Sequence, residues 1–134
     1  MVRILCVEDE TGLREDLVEL LEDEGYEVAA VANGAEALDL LATFRPDLVI
    51  SDCLMPVMTG AEMLQAIRNS YPDFAATPTI FLSAHAQKAH IEEGLEVGAA
   101  AYLAKPVDYE KLLTTIAEVV GMDRGSRTNC GKDD

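Results

Sequence analysis

The sequence predicts an α/β fold in which five strands and five helices alternate within one domain. Short apolar runs of about four to six residues recur five times, and segments with helical periodicity separate them. The runs are nearly continuous rather than alternating, which is typical of parallel strands covered by helices on both faces. We expect the second and fifth strands to form the edges. The predicted strands are residues 2–7, 27–32, 48–51, 79–83 and 101–104.

The first two helices have clear boundaries in the sequence. Leucines at helical spacing define a first helix over about residues 12–24, and Gly25 permits a left-handed cap at its end. Asn33 and Glu36 resemble a capping box at the start of a second helix, which reaches Phe44. The stripe of the first helix that faces the sheet consists of Leu13, Leu17, Leu20 and Leu21.

The later helices differ in apolar content. A third helix is predicted from about residue 60 to residue 70. The fourth, near residues 88–98, contains Gly94 and few large apolar residues, so we expect it to shift more readily than the others. The last follows Asp108, which is placed to cap its first turn. Its apolar positions are Leu112, Leu113, Ile116, Val119 and Val120.

Length and composition indicate one folded domain followed by a tail. The 134 residues are 49% hydrophobic and 26% charged, which is ordinary for a globular protein that folds alone. Residues 1–121 are predicted to form the domain. Residues 122–134 lack apolar periodicity and are rich in glycine and polar residues, so they are predicted to be a flexible C-terminal tail.

Charge and cysteine usage exclude several kinds of partner. Ten basic and 25 acidic residues give a net charge of −15, which opposes contact with nucleic acid phosphates through this domain. No apolar stretch reaches the length of a membrane span and no charged leader precedes the first strand, so we expect no membrane association. Cys6, Cys53 and Cys130 lack the spacing of a disulfide framework or a metal site, which favours a reducing, cytoplasmic location.

Polar side chains follow four of the five predicted strands at the point where each strand ends. Glu8 and Asp9 follow the first strand, Asp52 the third, Ser83 the fourth and Lys105 the fifth. The carboxyl ends of parallel strands lie along one edge of a sheet, which is where open α/β sheets bind their ligands. The sequence therefore predicts three carboxylates, a hydroxyl and an ammonium group in one crevice.

Three close carboxylates indicate a cation site. Two unit charges about 4 Å apart repel by roughly 4 kcal/mol at an effective dielectric constant near 20, so folding alone would not select this arrangement. Oxygen-only ligands suit Mg²⁺, which completes its coordination with water and phosphoryl oxygens. Carboxylates also act as nucleophiles that form an acyl phosphate, and Asp52, at the end of the central strand, is the predicted nucleophile.

These positions also carry a family resemblance. The motifs are Glu8-Asp9, Asp52-Cys53-Leu54-Met55-Pro56 with Gly60, Phe81-Leu82-Ser83-Ala84, Gly98-Ala99 before Tyr102, and Lys105-Pro106. Through them, residues 2–121 resemble a response-regulator receiver domain of two-component signal transduction, of the kind found in chemotaxis receivers. The resemblance implies a (βα)5 doubly wound, flavodoxin-like fold with the strand order 2-1-3-4-5, an order that flavodoxin and chemotaxis receivers share.

The resemblance assigns the chemistry to named residues. It implies that Asp52 accepts a phosphoryl group from a histidine kinase or a phosphotransfer protein. Asp9, Asp52 and the backbone carbonyl of Leu54 would bind Mg²⁺, and Glu8 would assist through water. Lys105 would pair with a phosphoryl oxygen. Such a domain catalyses its own phosphorylation and autodephosphorylation, but it is primarily a signalling switch.

The resemblance also implies how the switch works. Ser83 would hydrogen-bond to the phosphoryl group and Tyr102 would turn inward behind it, although ordinary packing explains Tyr102 equally well. The change would reach the surface of the fourth helix, fifth strand and fifth helix, where an unidentified downstream protein binds. The chain would be a monomer or a phosphorylation-dependent dimer. The bond between Lys105 and Pro106 would be cis.

The sequence departs from the family pattern in ways that bear on kinetics. We hypothesise that apolar Leu54 and bulky His85 hinder the water that attacks the phosphoryl group, which would prolong the phosphorylated state. Glu8 stands where aspartate is common, and we expect a modest effect on the metal-bound water. The alternative to a phosphorylated switch is a pseudo-receiver, which binds partners as a protein-interaction module without being phosphorylated.

Overall fold

The computed structural model of the chain has five strands among its described residues. The strands are β1 (Arg3–Val7), β2 (Glu27–Val31), β3 (Leu48–Asp52), β4 (Thr79–Ser83) and β5 (Ala101–Ala104). All neighbouring strands pair in parallel, in the order β2-β1-β3-β4-β5, so the predicted strand order and the two predicted edge strands are confirmed. The structure describes residues 2–53, 57–83 and 99–128, with residues 122–128 described by their backbone alone.

Helices within the described ranges agree with three of the predictions and extend a fourth. They are α1 (Thr11–Asp23), α2 (Gly34–Phe44), α3 (Gly60–Ser70), a short 3-10 turn (Pro72–Phe74) and the C-terminal helix (Tyr109–Thr128). The helix predicted near residues 88–98 lies outside the described residues. In the described part of the chain, every helix is too short or too polar to cross a membrane.

Three helix ends form where the sequence predicts them because their free backbone donors and acceptors find hydrogen-bond partners there. The side chain of Asn33 accepts a hydrogen bond from the amide of Glu36 at 2.9 Å. At the end of α1, Gly25 has a φ of 92°, and the amides of Gly25 and Tyr26 donate to carbonyls of the last turn at 3.0 and 3.1 Å. This pattern is a Schellman motif. Asp108 caps the C-terminal helix by accepting from the amide of Lys111 at 3.1 Å.

The C-terminal helix continues to Thr128, past the predicted domain boundary at residue 121. That boundary lies where the apolar stripe of the helix ends, after Val120. Glycine inside a helix costs only about 1 kcal/mol and keeps its backbone donor, so the hydrogen-bond ladder can run on after the apolar positions end. Residues 129–134 lie outside the described residues, and the division into a domain and a flexible tail stays a prediction.

Two apolar layers enclose the sheet. Alternate residues of the central strands face opposite sides, which explains why their sequences are continuously apolar. On one side Ile4, Cys6, Leu48, Ile50, Ile80 and Leu82 pack against α1 and the C-terminal helix, which contribute Leu17, Leu21, Leu112 and Ile116. On the other side Leu5, Val7 and Val49 pack against α2 and α3, which contribute Ala37, Leu41, Met63 and Ile67. Both faces of the sheet are thus covered in the described part of the chain.

Candidate functional site

Strand register places the polar residues side by side. The paired ladder between β1 and β3 ends with Val7 opposite Ser51, so the next residues, Glu8 and Asp52, emerge together at the carboxyl edge. On the far side, the amide of Lys105 donates to the carbonyl of Ser83 at 2.7 Å, which ties the residue after β5 to the end of β4. The edge thus gathers side chains that are distant in sequence.

Three carboxylates lie together at this edge. One oxygen each of Glu8, Asp9 and Asp52 lies within 4.8 Å of the others, as the strand-end spacing predicts. Glu8 is 1% exposed and Asp52 is 8% exposed, whereas Asp9 is open to solvent. The arrangement is a buried acidic pair with a third carboxylate on its solvent side.

Lys105 bridges the two buried carboxylates. Its Nζ lies 3.1 Å from Oε1 of Glu8 and 3.1 Å from Oδ2 of Asp52. Three negative charges against one positive charge leave the cluster with a net charge of −2. Oε1 of Glu8 has this ion contact but accepts no hydrogen bond of good geometry from the described residues. A buried carboxylate oxygen with a free lone pair is suited to a cation.

The protonation equilibria follow from this crowding. Burial raises the pKa of Glu8, and the charge of Asp52 adds to the increase, against the hydrogen bonds from the Glu10 amide and from Lys105. Burial would lower the pKa of Lys105, but its hydrogen bonds to Glu8 and Asp52 and their charges outweigh that effect and raise it. The lysine therefore stays charged, while Glu8 gains from any further positive charge nearby.

The loop that carries Glu8 is held from several directions. The amide of Glu8 donates to the carbonyl of Val31 at 3.0 Å, and the amide of Glu10 donates to Oε2 of Glu8 at 3.1 Å. From α1, Nη1 of Arg14 donates to the carbonyl of Glu8 at 2.8 Å. Arg14 was not among the predicted site residues, because an arginine near the start of a helix is ordinarily a solvated charge.

Gly60 allows α3 to begin directly against the end of β3. A Cβ atom at this position would lie 2.6 Å from the carbonyl oxygen of Asp52 and 3.0 Å from the ring of Phe81. The amide of Gly60 donates to the carbonyl of Cys53 at 2.9 Å. Thr59 caps the helix in a reciprocal capping box with Glu62. The backbone around Asp52 is therefore fixed by close contact as well as by hydrogen bonds.

Ser83 and Tyr102 occupy the neighbouring strand ends. Ser83 is buried at the end of β4. The ring of Tyr102 meets that of Phe81 edge to face, with centroids 6.3 Å apart and an interplanar angle of 83°. The thiol of Cys53 lies 3.4 Å from the hydroxyl of Tyr102 in hydrogen-bonding geometry. The peptide bond between Lys105 and Pro106 is cis, as the resemblance implies.

Two of the predicted site residues are not among those the structure describes. Leu54, with its predicted metal-binding carbonyl, lies in the gap at residues 54–56, and His85 lies in the gap at residues 84–98. Their proposed roles in metal binding and in dephosphorylation stay predictions. Of the predicted site residues that the structure describes, the three carboxylates and Lys105 lie together.

The fold and this edge define a class of protein. A parallel sheet of order 2-1-3-4-5 with an acidic cluster and a lysine at its carboxyl edge is the architecture of receiver domains. A family model described as the response regulator receiver domain matches residues 4–117. The chain belongs to this family, and it is a receiver domain of the kind found in response regulators of two-component systems.

Curated relatives and solved structures agree with the assignment. The chain is 40% identical over 112 residues to the response regulator MprA of Mycobacterium sp. (strain KMS), covering 84% of this chain and 47% of the relative. It is 35% identical over 126 residues to the response regulator Rre1 of Synechocystis sp., covering 93% of this chain and 54% of that protein. This chain therefore spans about half the length of these relatives.

A chemotaxis protein provides a close structural likeness over nearly its whole length. The chemotaxis response regulator CheY4 of Vibrio cholerae superposes with a TM-score of 0.83 and is 39% identical, covering 89% of this chain and 98% of that one. A CheY-like receiver domain protein from Methanospirillum hungatei superposes with a TM-score of 0.86 at 30% identity, covering 94% and 98% of the two chains. Both likenesses confirm the flavodoxin-like arrangement.

Proposed function

We propose that this chain is a phosphorylation-dependent signalling switch in which Asp52 accepts a phosphoryl group from a histidine kinase or a phosphotransfer protein. The observation that carries the proposal is the placement of Asp52. It lies at the end of the central strand, 3.1 Å from the Lys105 ammonium and within the acidic cluster. Neither a helix cap nor an ordinary turn requires a buried carboxylate with these neighbours.

The transfer itself exchanges one bond to phosphorus for another. A carboxylate oxygen of Asp52 forms a bond to the phosphorus atom of a phosphohistidine, and the bond between phosphorus and the imidazole nitrogen breaks. The imidazole leaves with the electron pair of that bond and binds a proton. Lys105 lies near enough to Asp52 to pair with a phosphoryl oxygen as negative charge moves toward the site.

The donor set fits Mg²⁺. Glu8, Asp9 and Asp52 supply only carboxylate oxygens, and Oε1 of Glu8 lacks a hydrogen bond from the described residues. Asp9 and Asp52 would hold the ion with the carbonyl of Leu54, and Glu8 would act through water. Bound Mg²⁺ would neutralise the remaining negative charge and polarise the phosphoryl oxygens. The residues of the chain themselves place the nucleophile and keep Lys105 charged.

The output is a change of surface. Ser83 would donate its hydroxyl to the phosphoryl group and Tyr102 would reorient, which alters the face formed by β5, the C-terminal helix and the helix predicted near residues 88–98. A downstream protein of unidentified kind would bind that face, in the cytoplasm, with the chain a monomer or a phosphorylation-dependent dimer. The strong negative charge opposes direct binding of nucleic acid through this domain.

A small phosphodonor tests the proposal. Acetyl phosphate with Mg²⁺ should add the mass of one phosphoryl group to the wild-type chain, as intact mass spectrometry measures, and chelating the metal should prevent the gain. Asp52→Asn should gain nothing. Asp39→Asn, which changes an exposed aspartate of α2, is the matched control and should behave as wild type. A wild-type chain that never gains this mass would instead be a pseudo-receiver.

The lifetime of the phosphorylated state is a separate proposal. We propose that Leu54 and His85 slow the attack of water on the phosphoryl group. After the donor is removed, the phosphorylated Leu54→Asn and His85→Ala variants should lose the added mass faster than wild type. Equal decay rates in all three proteins would contradict this role.

A further inference from the structure

A thiol lies between the phosphorylation site and the switch tyrosine. Cys53 follows Asp52 directly and is half-buried at the end of β3. Its Sγ lies 3.4 Å from the hydroxyl of Tyr102, which is 49 residues away in sequence. Tyr102 belongs to β5, and β4 separates β5 from β3 in the sheet. The contact therefore crosses over the end of the intervening strand.

Phe81 supports the tyrosine ring along this crossing. Phe81 of β4 is in register with Ser51 of β3 on one side and with Tyr102 of β5 on the other. It is fully buried, and its ring contacts that of Tyr102 edge to face. The ring contact is apolar while the hydroxyl of a packed tyrosine usually finds a hydrogen-bond partner, so polar partners at its tip help to set the direction of the hydroxyl.

Backbone hydrogen bonds on both sides hold the main chain of Cys53 in place. The amide of Cys53 donates to the carbonyl of Leu82 at 3.1 Å, and its carbonyl accepts from the amide of Gly60 at 2.9 Å. Cys53 is thus tied to β4 on one side and to the start of α3 on the other. A thiol is a weak donor, so this contact adds direction to the tyrosine and only a small amount of stability.

We propose that Cys53 is a positioning residue, whose thiol holds the hydroxyl of Tyr102 in the unphosphorylated protein and links that side chain to the peptide of Asp52. The inference rests on the proposed function, because the link matters only if Asp52 is phosphorylated. A change at Asp52 reaches Tyr102 through one peptide bond and one polar contact. The coupling needs a small polar side chain at position 53, which alanine does not supply.

Fluorine NMR of protein labelled with 3-fluorotyrosine tests the contact in the resting state, without Mg²⁺ or a phosphodonor. The signal of Tyr102 is identified by its loss in Tyr102→Phe. Cys53→Ala should shift this signal, and Cys53→Ser should return it toward the wild-type position because the hydroxyl replaces the thiol as donor. Cys6→Ala, a change to the buried thiol of β1, is the matched control and should leave the signal in place.

Phosphorylation supplies a second readout. With acetyl phosphate and Mg²⁺, Cys53→Ala should gain a phosphoryl group at a rate within about twofold of wild type, because the reacting groups are intact. Its Tyr102 signal should move less on phosphorylation than that of wild type, since the resting contact is already lost. This difference separates coupling from a defect in chemistry.

The outcomes distinguish this inference from the proposed function. A Tyr102 signal that is the same in Cys53→Ala and wild type overturns the inference, as does a Cys53→Ser variant whose signal matches that of Cys53→Ala. If wild type never gains a phosphoryl group, the proposed function fails, and the switching role of Cys53 fails with it even when the resting-state contact is verified. Chemical unfolding of each variant identifies any shift caused by loss of the fold.

Discussion

The ion pairs at the two ends of the sheet differ in how far they are exposed to water. At the amino end, Nε of Arg3 lies 3.4 Å from Oε1 of Glu27, and the two side chains are 44% and 47% exposed. At the carboxyl end, Lys105 contacts Glu8 and Asp52, whose side chains are 1% and 10% exposed. Both ends contain ion pairs. Of these pairs, those at the carboxyl end are the ones removed from water.

The difference separates an exposed ion pair from a buried charge cluster that the needs of folding do not explain. An exposed pair contributes about 0 to 1 kcal/mol to stability, because water screens it and holding it ordered costs entropy. In a buried cluster each ion loses its hydration, which costs free energy. The attraction between the opposite charges offsets this cost only when the geometry is good. Two buried carboxylates that share one lysine do not favour folding by themselves. The same arrangement is suited to binding a cation and a phosphoryl group.

Replacing the basic residue at each end of the sheet should give the largest difference in stability between the two ends. Lys105→Met leaves two buried carboxylates unpaired, so we expect a loss of about 2 kcal/mol in the free energy of unfolding at neutral pH, discounted because the lysine is partly exposed. The rate of phosphorylation by acetyl phosphate should fall at least about tenfold. Arg3→Met should cost less than about 1 kcal/mol and leave the rate unchanged. Equal losses of stability in urea titrations would show that burial does not distinguish the two ends.

Gly60 and Gly34 differ in what surrounds them: backbone lies against the first and a flexible side chain against the second. An alanine at position 60 would meet the carbonyl of Asp52 at 2.6 Å, whereas one at position 34 would meet the flexible side chain of Met58 at 2.7 and 2.8 Å. Backbone cannot move aside as a side chain does, so Gly60→Ala should destabilise the protein by about 2 kcal/mol and Gly34→Ala by less than about 1 kcal/mol. The reverse order in chemical unfolding would refute this account of Gly60.

Alkaline pH tests the protonation of the buried Cys6 thiol, which lies two residues before the acidic edge. Burial and the charge of Glu8 raise the pKa of Cys6 from 9.0 to about 12. The thiol therefore contributes stability that is complete below the unfolded pKa and is lost as pH rises toward the folded value. By about pH 10 the loss should reach roughly 1.4 kcal/mol. Cys6→Ala should lack this component in urea titrations over the same range, although its stability at neutral pH is lower. An identical pH slope in both proteins would contradict the assignment.

A hydroxyl at the amino end of β4 should give the smallest effect. Oγ1 of Thr79 is buried and has no hydrogen bond from the described residues. Thr79→Val removes an unsatisfied polar atom without changing the shape, so we expect a gain of up to about 1 kcal/mol in thermal or chemical unfolding. Thr114→Val, at an exposed position of the C-terminal helix, is the control and should change stability by less than about 0.5 kcal/mol. A loss of stability in Thr79→Val would show that the hydroxyl has a partner.

Much of the arrangement at the carboxyl edge could be predicted, because local sequence patterns determine where the strands and the helix caps lie. Apolar runs locate strands, and parallel strands bring their carboxyl ends to one edge, so the positions of Glu8, Asp52 and Lys105 along the chain predict that they share that edge. Caps were predictable for the same reason, since Asn33 and Asp108 bond backbone amides within their own helix turn. The strand order itself came from the family resemblance.

The remaining features depend on how distant segments pack. The sequence by itself determined the strands, the helix starts and the set of polar groups at one edge, because each of these follows from neighbours within a few positions. Only the tertiary structure decided that Arg14 holds the Glu8 carbonyl, that Cys53 meets Tyr102 across β4 and that Lys105 lies equally near two carboxylates. Those contacts arise from strand register and helix placement, which set distances between side chains that no local pattern encodes.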